Sequence, residues 1–224
     1  GTRLRALASW QDEWLSAAEF SYRRERGCED MHWELALRLE HAFLTGEELH
    51  GISLDYEKAF DRLPISILMG MAEHIGMPTA VLRPLKGMYA TLQRRWRLGP
   101  MVGSPFQSTH GILQGCPLSV LLLNMIICVW RNAIEQHCSG VIPRSFADDG
   151  NLISHDVEAL GEALQLTLEF AEDTGQSIHK TKTKAWATSS AGRRRMEQLV
   201  MTGRHLSTVL HDRVLGIQQF FSRR

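Results

Sequence analysis

The apolar positions of this chain fall into short periodic runs, and those runs define the elements it is expected to form. Leu35, Leu39, Ala42 and Phe43 recur at helical spacing and predict a helix over residues 30–44, closed by Gly46; another is predicted over 3–20. A short strand follows over 51–56. Pro64 stands where a first helical residue would be, and Ile65, Leu68, Met69, Ala72 and Ile75 then share one face until Gly76 and Pro78 end the helix. A further helical piece runs to about Leu92 with a kink expected at Pro84.

Residues 93–98 and 104–109 alternate as strands around Gly99-Pro100, and a Gly-rich connection over 111–117 leads into an apolar helix over 118–136. Strands over 141–147 and 151–154 flank Asp148-Asp149-Gly150, where Asp-Gly is a strong hairpin signal. Leu160, Ala163, Leu164, Thr167, Leu168 and Ala171 mark an amphipathic helix ended by Gly175, with a strand at about 182–188 beyond it. From residue 191 the signals weaken. The order strand, helices, hairpin, helix, strand predicts an α+β fold, a small antiparallel sheet with helices packed on one face.

Composition narrows this picture only slightly. At 224 residues the chain can bury one core, and 44% hydrophobic with 22% charged residues excludes global disorder. The four cysteines form no CxxC pair, which speaks against a zinc knuckle or a disulfide framework and fits a reducing, intracellular compartment. The run from Leu118 to Trp130 contains Asn124 and is shorter than the roughly 20 apolar residues that span a bilayer, so a buried helix and no membrane partner are expected. A first residue Gly1 in place of Met suggests a fragment.

Charge is balanced at 25 basic and 25 acidic residues, so any nucleic-acid surface must come from distribution. Basic residues gather at Arg23, Arg24 and Arg26, at Arg94, Arg95 and Arg97, at Lys180, Lys182 and Lys184, and at Arg193 to Arg195. Each cluster can track a phosphate backbone or form a solvated face.

The carboxylates are the candidate chemistry. Asp55 ends a strand, and Asp148 and Asp149 sit at a hairpin tip. Each is compatible with a plain turn or strand-end role. A central strand and a neighbouring hairpin can also bring the three within a few ångströms, where like charges repel unless cations lie between them. Oxygen ligands favour Mg²⁺ or Mn²⁺, and two such ions activate a hydroxyl and stabilise a leaving pyrophosphate in nucleotidyl transfer.

At this point a resemblance becomes specific. Leu54-Asp55-Tyr56-Glu57-Lys58-Ala59-Phe60-Asp61 resembles the DxxKAFD motif of retroelement reverse transcriptases, Gly111 to Ser119 resembles GxxQGxPLS, and Phe146-Ala147-Asp148-Asp149 matches FADD. Gly175 to Lys184, with Lys182-Thr183, is similar to a fourth motif; Phe20 to Asp30 is similar to a fifth through Tyr22, Arg23, Arg26 and Asp30; Val214-Leu215-Gly216 is faintly similar to the primer-gripping region. The likeness covers about residues 3–217 and is nearest to non-LTR retrotransposons, then to group II intron enzymes. His179 stands where the family has Asn, and Val120 where a Pro commonly follows the Ser.

The resemblance implies a right-hand polymerase palm with partial fingers: fingers over 1–50, palm over 51–190, and the end of the palm with the primer grip over 191–224, a thumb lying further on. It implies RNA-directed DNA polymerisation with an RNA template, a DNA primer, deoxynucleoside triphosphates and two Mg²⁺ (or Mn²⁺) ions, in the nucleus. Asp55 and Asp148 would bind both ions with Asp149 adjacent, and Lys182 would donate a proton to pyrophosphate. Tyr56, Phe60, Gln114 and Gly115 would form the nucleotide pocket, with Phe60 as the gate against a 2′-hydroxyl. Arg23 and Arg26 would contact nucleic acid, and Asp61 would cap a helix or brace nearby arginines. The alternatives are a non-catalytic nucleic-acid-binding remnant of a decayed retroelement and an RNA-dependent RNA polymerase, against which Phe60 speaks.

Overall fold

The computed structural model describes residues 7–16, 19–214 and 217–222. Its centre is a four-stranded antiparallel sheet in the order β6-β7-β1-β8, built from β1 (His50–Asp55), β6 (Ile142–Phe146), β7 (Asp149–Ser154) and β8 (Lys184–Ala187). Because side chains alternate along a strand, register decides which residues share a face. Ile52 pairs with Leu152 and Ala185, and these three belong to the main core. Gly51 pairs with Ile153 and Trp186 on the opposite face.

The first face is covered by α6 (Pro117–His137) and α7 (Val157–Asp173). Pro117 opens α6 at its first turn, where a missing N–H does no harm. No side chain caps that helix; burial of Leu121, Leu122, Leu123 and Met125 holds it, at about 1.5–3 kcal/mol for each such side chain. Trp130 of α6 donates its indole N–H to Thr167 of α7 at 3.0 Å, satisfying a polar atom inside the core. At 21 residues α6 is long and apolar enough to cross a membrane, contrary to the shorter run expected from sequence, yet 67% of its most apolar window is buried inside the protein.

The second face is also covered, though only in part. Leu35, Leu39 and Ala42 of α2 (Cys28–Thr45) pack with Ile153, Trp186 and Phe221 into a separate small core. Trp186 stacks on Phe221 at 4.6 Å and lies so close over Gly51 that a Cβ there would stand 2.2 Å from its ring, so only glycine fits. Arg144 of β6 reaches Glu34 of α2 at 2.6 Å on the same face. The expected small antiparallel sheet with helices packed on it is present, and α2 adds partial cover to its second face. Two residues beyond Gly51 along β1 the cover stops, and Ser53, Asp55, Asp149 and Asn151 face an open cleft.

Several boundaries shift for local reasons. The helix expected over 3–20 is limited, among the described residues, to α1 (Ala8–Trp14); Glu19 instead makes a parallel bridge to Ser145 of β6. Asp30 accepts from the Gly27 N–H at 2.7 Å, so α2 starts at Cys28. Three helices follow β1: α3 (Ala59–Arg62), α4 (Ile65–His74) and α5 (Thr79–Thr91), the last continuing through Pro84. The alternating stretch beyond is an arm of two short ladders, β2 (Gln93–Arg94) with β5 (Phe106–Gln107) and β3 (Arg97–Leu98) with β4 (Met101–Val102). The weakly patterned tail forms α8 (Ser190–Met196), a hairpin of β9 (Val200–Met201) with β10 (Arg204–His205), and another of β11 (His211–Val214) with β12 (Ile217–Phe220). The primer-grip similarity at Leu215-Gly216 lies outside the described residues.

Candidate active site

The site forms where β1 and the β6–β7 hairpin end together. Phe146 pairs with Asp149, so the hairpin loop is the two residues Ala147-Asp148, and Asp149-Gly150 already belong to β7. The expected Asp-Gly turn is corrected by one step. Ala147 takes the positive φ of 54° that a tight loop demands, a left-handed conformation that costs an alanine about 1 kcal/mol or more. Asp149 consequently lies directly opposite Asp55 on one sheet face, with Asp148 beside it in the loop.

Opposed like charges destabilise a strand pair. Burial, then the charges of Asp148 and Asp55, push the Asp149 carboxyl up to about 6. Among the described residues no side chain donates to Asp148 or Asp149, and Lys182 approaches Asp55 at 3.8 Å. The backbone of Asp55 is fixed more firmly: its N–H donates to the buried Thr183 hydroxyl at 3.2 Å, and its carbonyl accepts from the His179 N–H at 2.7 Å. That second bond uses main chain only, so His in place of Asn at 179 leaves it intact.

Asp55 and Asp149 open onto the cleft that also holds Lys182, while Asp148 lines an adjoining cavity of about 560 Å³. Phe60, Gln114 and Gly115 line that cavity as expected, joined by Tyr22 and Lys58. Lys58 is held at a positive φ of 53° at the start of α3, at the bend between β1 and Phe60. Gly115 has φ 79°, and a Cβ on it would meet nothing within 4 Å; conformation, and not crowding, is what calls for glycine. Asp61 lies 3.4 Å from the Gln114 amide, bracing the cavity wall in place of capping a helix.

Three expected site residues are not brought here. Tyr56 points to the opposite face from Asp55, and its hydroxyl is buried in the main core without a hydrogen-bond partner, which raises its pKa. Arg23 bonds the Ser16 carbonyl at 2.7 Å and pairs with Asp12, and Arg26 lies over the Phe20 ring at 5.5 Å. Tyr22 and Lys58 were legible as motif members but carried no sign that they would face the cavity. Thr183 was hidden behind Lys182.

The donor set suits a hard divalent cation. It is oxygen only, and its mutual repulsion is what a cation relieves. Among the described residues no trio of His, Cys, Asp and Glu side chains is gathered into a closed cage. Mg²⁺ is ordinarily held by one or two carboxylates together with substrate phosphates, so an open pair beside a cavity fits it better than a cage would.

A family profile described as "Reverse transcriptase (RNA-dependent DNA polymerase)" matches residues 2–216. The Transposon TX1 uncharacterized 149 kDa protein of Xenopus laevis is 29% identical over 154 residues, 65% of this chain and 12% of that protein. Among solved structures, telomerase from Candida tropicalis with a TWJ fragment of telomeric RNA superposes with a TM-score of 0.67 at 11% identity, over 92% of this chain and 36% of that one. Telomerase from Candida albicans with the same kind of fragment gives 0.56 at 13% identity, over 97% of this chain and 35% of that one. The chain thus spans a small part of the curated relative and about a third of the structural ones, whose likeness is one of fold.

Proposed function

The chain belongs to the reverse transcriptase (RNA-dependent DNA polymerase) family, and from that premise we propose that it carries RNA-directed DNA polymerisation, joining a deoxynucleotide to a primer 3′-hydroxyl with release of pyrophosphate. The observation that carries this reading is the placement of Asp149 opposite Asp55, with Asp148 turned to a cavity walled by Phe60 and Gln114. The family uses divalent metal ions. In this reading Asp55 and Asp148 hold two Mg²⁺ (or Mn²⁺) ions and Asp149 supports them; bound there, the ions supply charge that lowers the hydroxyl pKa and stabilises the leaving pyrophosphate.

The chain's own groups do the rest. Phe60, partly buried in the cavity wall, excludes a 2′-hydroxyl from the incoming sugar. Gln114, braced by Asp61, orients the nucleotide, and the left-handed Gly115 turns the wall around it. Lys182 keeps a proton close to Asp55 for transfer to pyrophosphate. An RNA template, a DNA primer and deoxynucleoside triphosphates are the partners this requires. Fingers over 1–50, palm over 51–190 and the end of the palm over 191–224 form the corresponding division of the chain.

The test is incorporation of labelled deoxynucleotide on an RNA template with a DNA primer in Mg²⁺. Losing an outer partner of a metal ligand typically costs 10–100-fold, so Asp148→Ala, a direct ligand, is expected to lose more than about 100-fold. Full activity in that variant removes the assignment. In the same assay Phe60→Ala is expected to lower discrimination against ribonucleotides while incorporation persists; unchanged discrimination removes the gate.

A further inference from the structure

Between Glu73 and Glu135 the chain carries no acidic residue, although its overall charge is balanced. The arm of residues 93–107 lies inside this stretch and holds Arg94, Arg95 and Arg97. It also holds the most exposed tryptophan among the described residues. Trp96 is 76% exposed, yet it is not loose: its ring stacks on Phe106 at 5.7 Å with 20° between the planes. One face is backed by a second ring and the other is open. Leu98, Met101 and Val102 beside it are exposed as well.

A fixed, open aromatic face among arginines that are in no ion pair with the described residues has the chemistry of a stacking platform with a phosphate track. Base faces are covered in a duplex and free in a single strand, so the platform suits unpaired nucleic acid. Interleaved arginines that form no ion pair among the described residues favour a polyanion over a protein surface of mixed charge. The arm is tied at its root to the cavity. Arg94 donates to the Gly111 carbonyl, Gln107 to the Ala90 carbonyl, and the chain then runs directly into Gln114 and Gly115. Arg97 uses Nε on the Gly99 carbonyl at 3.1 Å, which leaves its terminal nitrogens for phosphate.

We propose that the arm over residues 93–107 is a binding site for single-stranded nucleic acid, stacking an unpaired base on Trp96 and taking its phosphates on Arg95 and Arg97. The idea rests on the polymerase reading above for its role: the strand held there is the unpaired template on its way to the cavity. Arg23 and Arg26, committed to Asp12, Ser16 and Phe20, have no part in it.

The experiment measures fluorescence anisotropy of labelled single-stranded RNA, single-stranded DNA and a blunt duplex with the full chain in EDTA, without nucleotide. Base–aromatic stacking corresponds to roughly 5- to 150-fold in affinity. Trp96→Ala is therefore expected to weaken both single strands about 10-fold, and Trp96→Phe to stay within about 3-fold of the parent. Arg95→Ala with Arg97→Ala should flatten the log–log salt dependence by about 1.4, at about 0.7 per phosphate. Thermal melting should be unchanged in all three, because the arm lies outside both cores.

Unchanged affinity in Trp96→Ala overturns the proposal. So does preference for the duplex, or equal loss in Trp96→Phe and Trp96→Ala with melting intact. Should Trp96→Ala dissolve a self-associated form and leave RNA affinity alone, the arm is a surface between copies and the proposal also fails. Because no metal or nucleotide is present, this binding is measured apart from incorporation, so failure here and failure of the catalytic assignment are distinct outcomes.

Discussion

Two carboxylates in this chain, Glu19 buried and Asp149 half-buried, are lifted in pKa, and they end in opposite situations. Glu19 lies under the sheet's first face and Asp149 opens onto the second. Burial raises both. Around Glu19 the protein supplies donors: the Ser21 hydroxyl at 2.7 Å, the Ser21 N–H at 2.9 Å, the Ser145 hydroxyl, and the charge of buried Arg131. Around Asp149 it supplies two more negative charges. The first carboxylate is consumed by structure, tying the segment that carries Tyr22 to the strand that leads into the catalytic loop. The second is left for a ligand to neutralise. An unrelieved charge at the rim of a cavity is the mark of a site, and a relieved one is the mark of a joint.

The largest effect that should sharpen this contrast is on stability at the joint. Glu19→Ala takes the acceptor from the Ser145 hydroxyl and the Ser21 N–H and removes the charge facing Arg131, while the Ser21 hydroxyl keeps Asn124 and Arg131 keeps Glu135. It is expected to lose about 3 kcal/mol of unfolding free energy in a denaturant titration. Glu19→Gln keeps an acceptor and should recover most of that. An alanine variant as stable as the parent would break the comparison.

At the site the sign reverses. Removing charge at Asp149 should stabilise the ion-free protein, so Asp149→Asn in EDTA at pH 7 is expected to gain about 1–2 kcal/mol, discounted because the group is partly solvated. Smaller still is the pH dependence. With its carboxyl lifted from 3.8 to about 6, the folded protein binds more protons than the unfolded chain between those values. Stability in EDTA should therefore fall as pH rises through that window, and Asp149→Asn should flatten the slope. A parent protein that gains stability over this range would show that Asp149 is already satisfied.

Much of the site was legible in the sequence because it is local. Asp148, Gln114 and Phe60 lie in contiguous motifs, and contiguity delivers them to one hairpin, one connection and one bend. What sequence missed depends on register. Tyr56 follows Asp55, so strand alternation sends it to the core; the hairpin loop begins at Ala147 because Phe146 pairs with Asp149. The second cover of the sheet, by α2 and Phe221, joins segments nearly two hundred residues apart and has no signature in either one. Glu19 was placed in a helix because neither its bridge to Ser145 nor its donors lie nearby in the chain.

The divided second face of the sheet has one more consequence. Trp186 over Gly51 and Asp149 across from Asp55 are both set by the register of β1, four residues apart on it, one against β8 and one against β7. A slip of one residue would turn Leu54 outward and Asp55 into the hydrocarbon, and would drive a side chain into the tryptophan ring. Folding thus audits the active site: a mispaired sheet loses its core in the same step that it loses its chemistry, and inactive yet well-packed copies have no ladder to stand on.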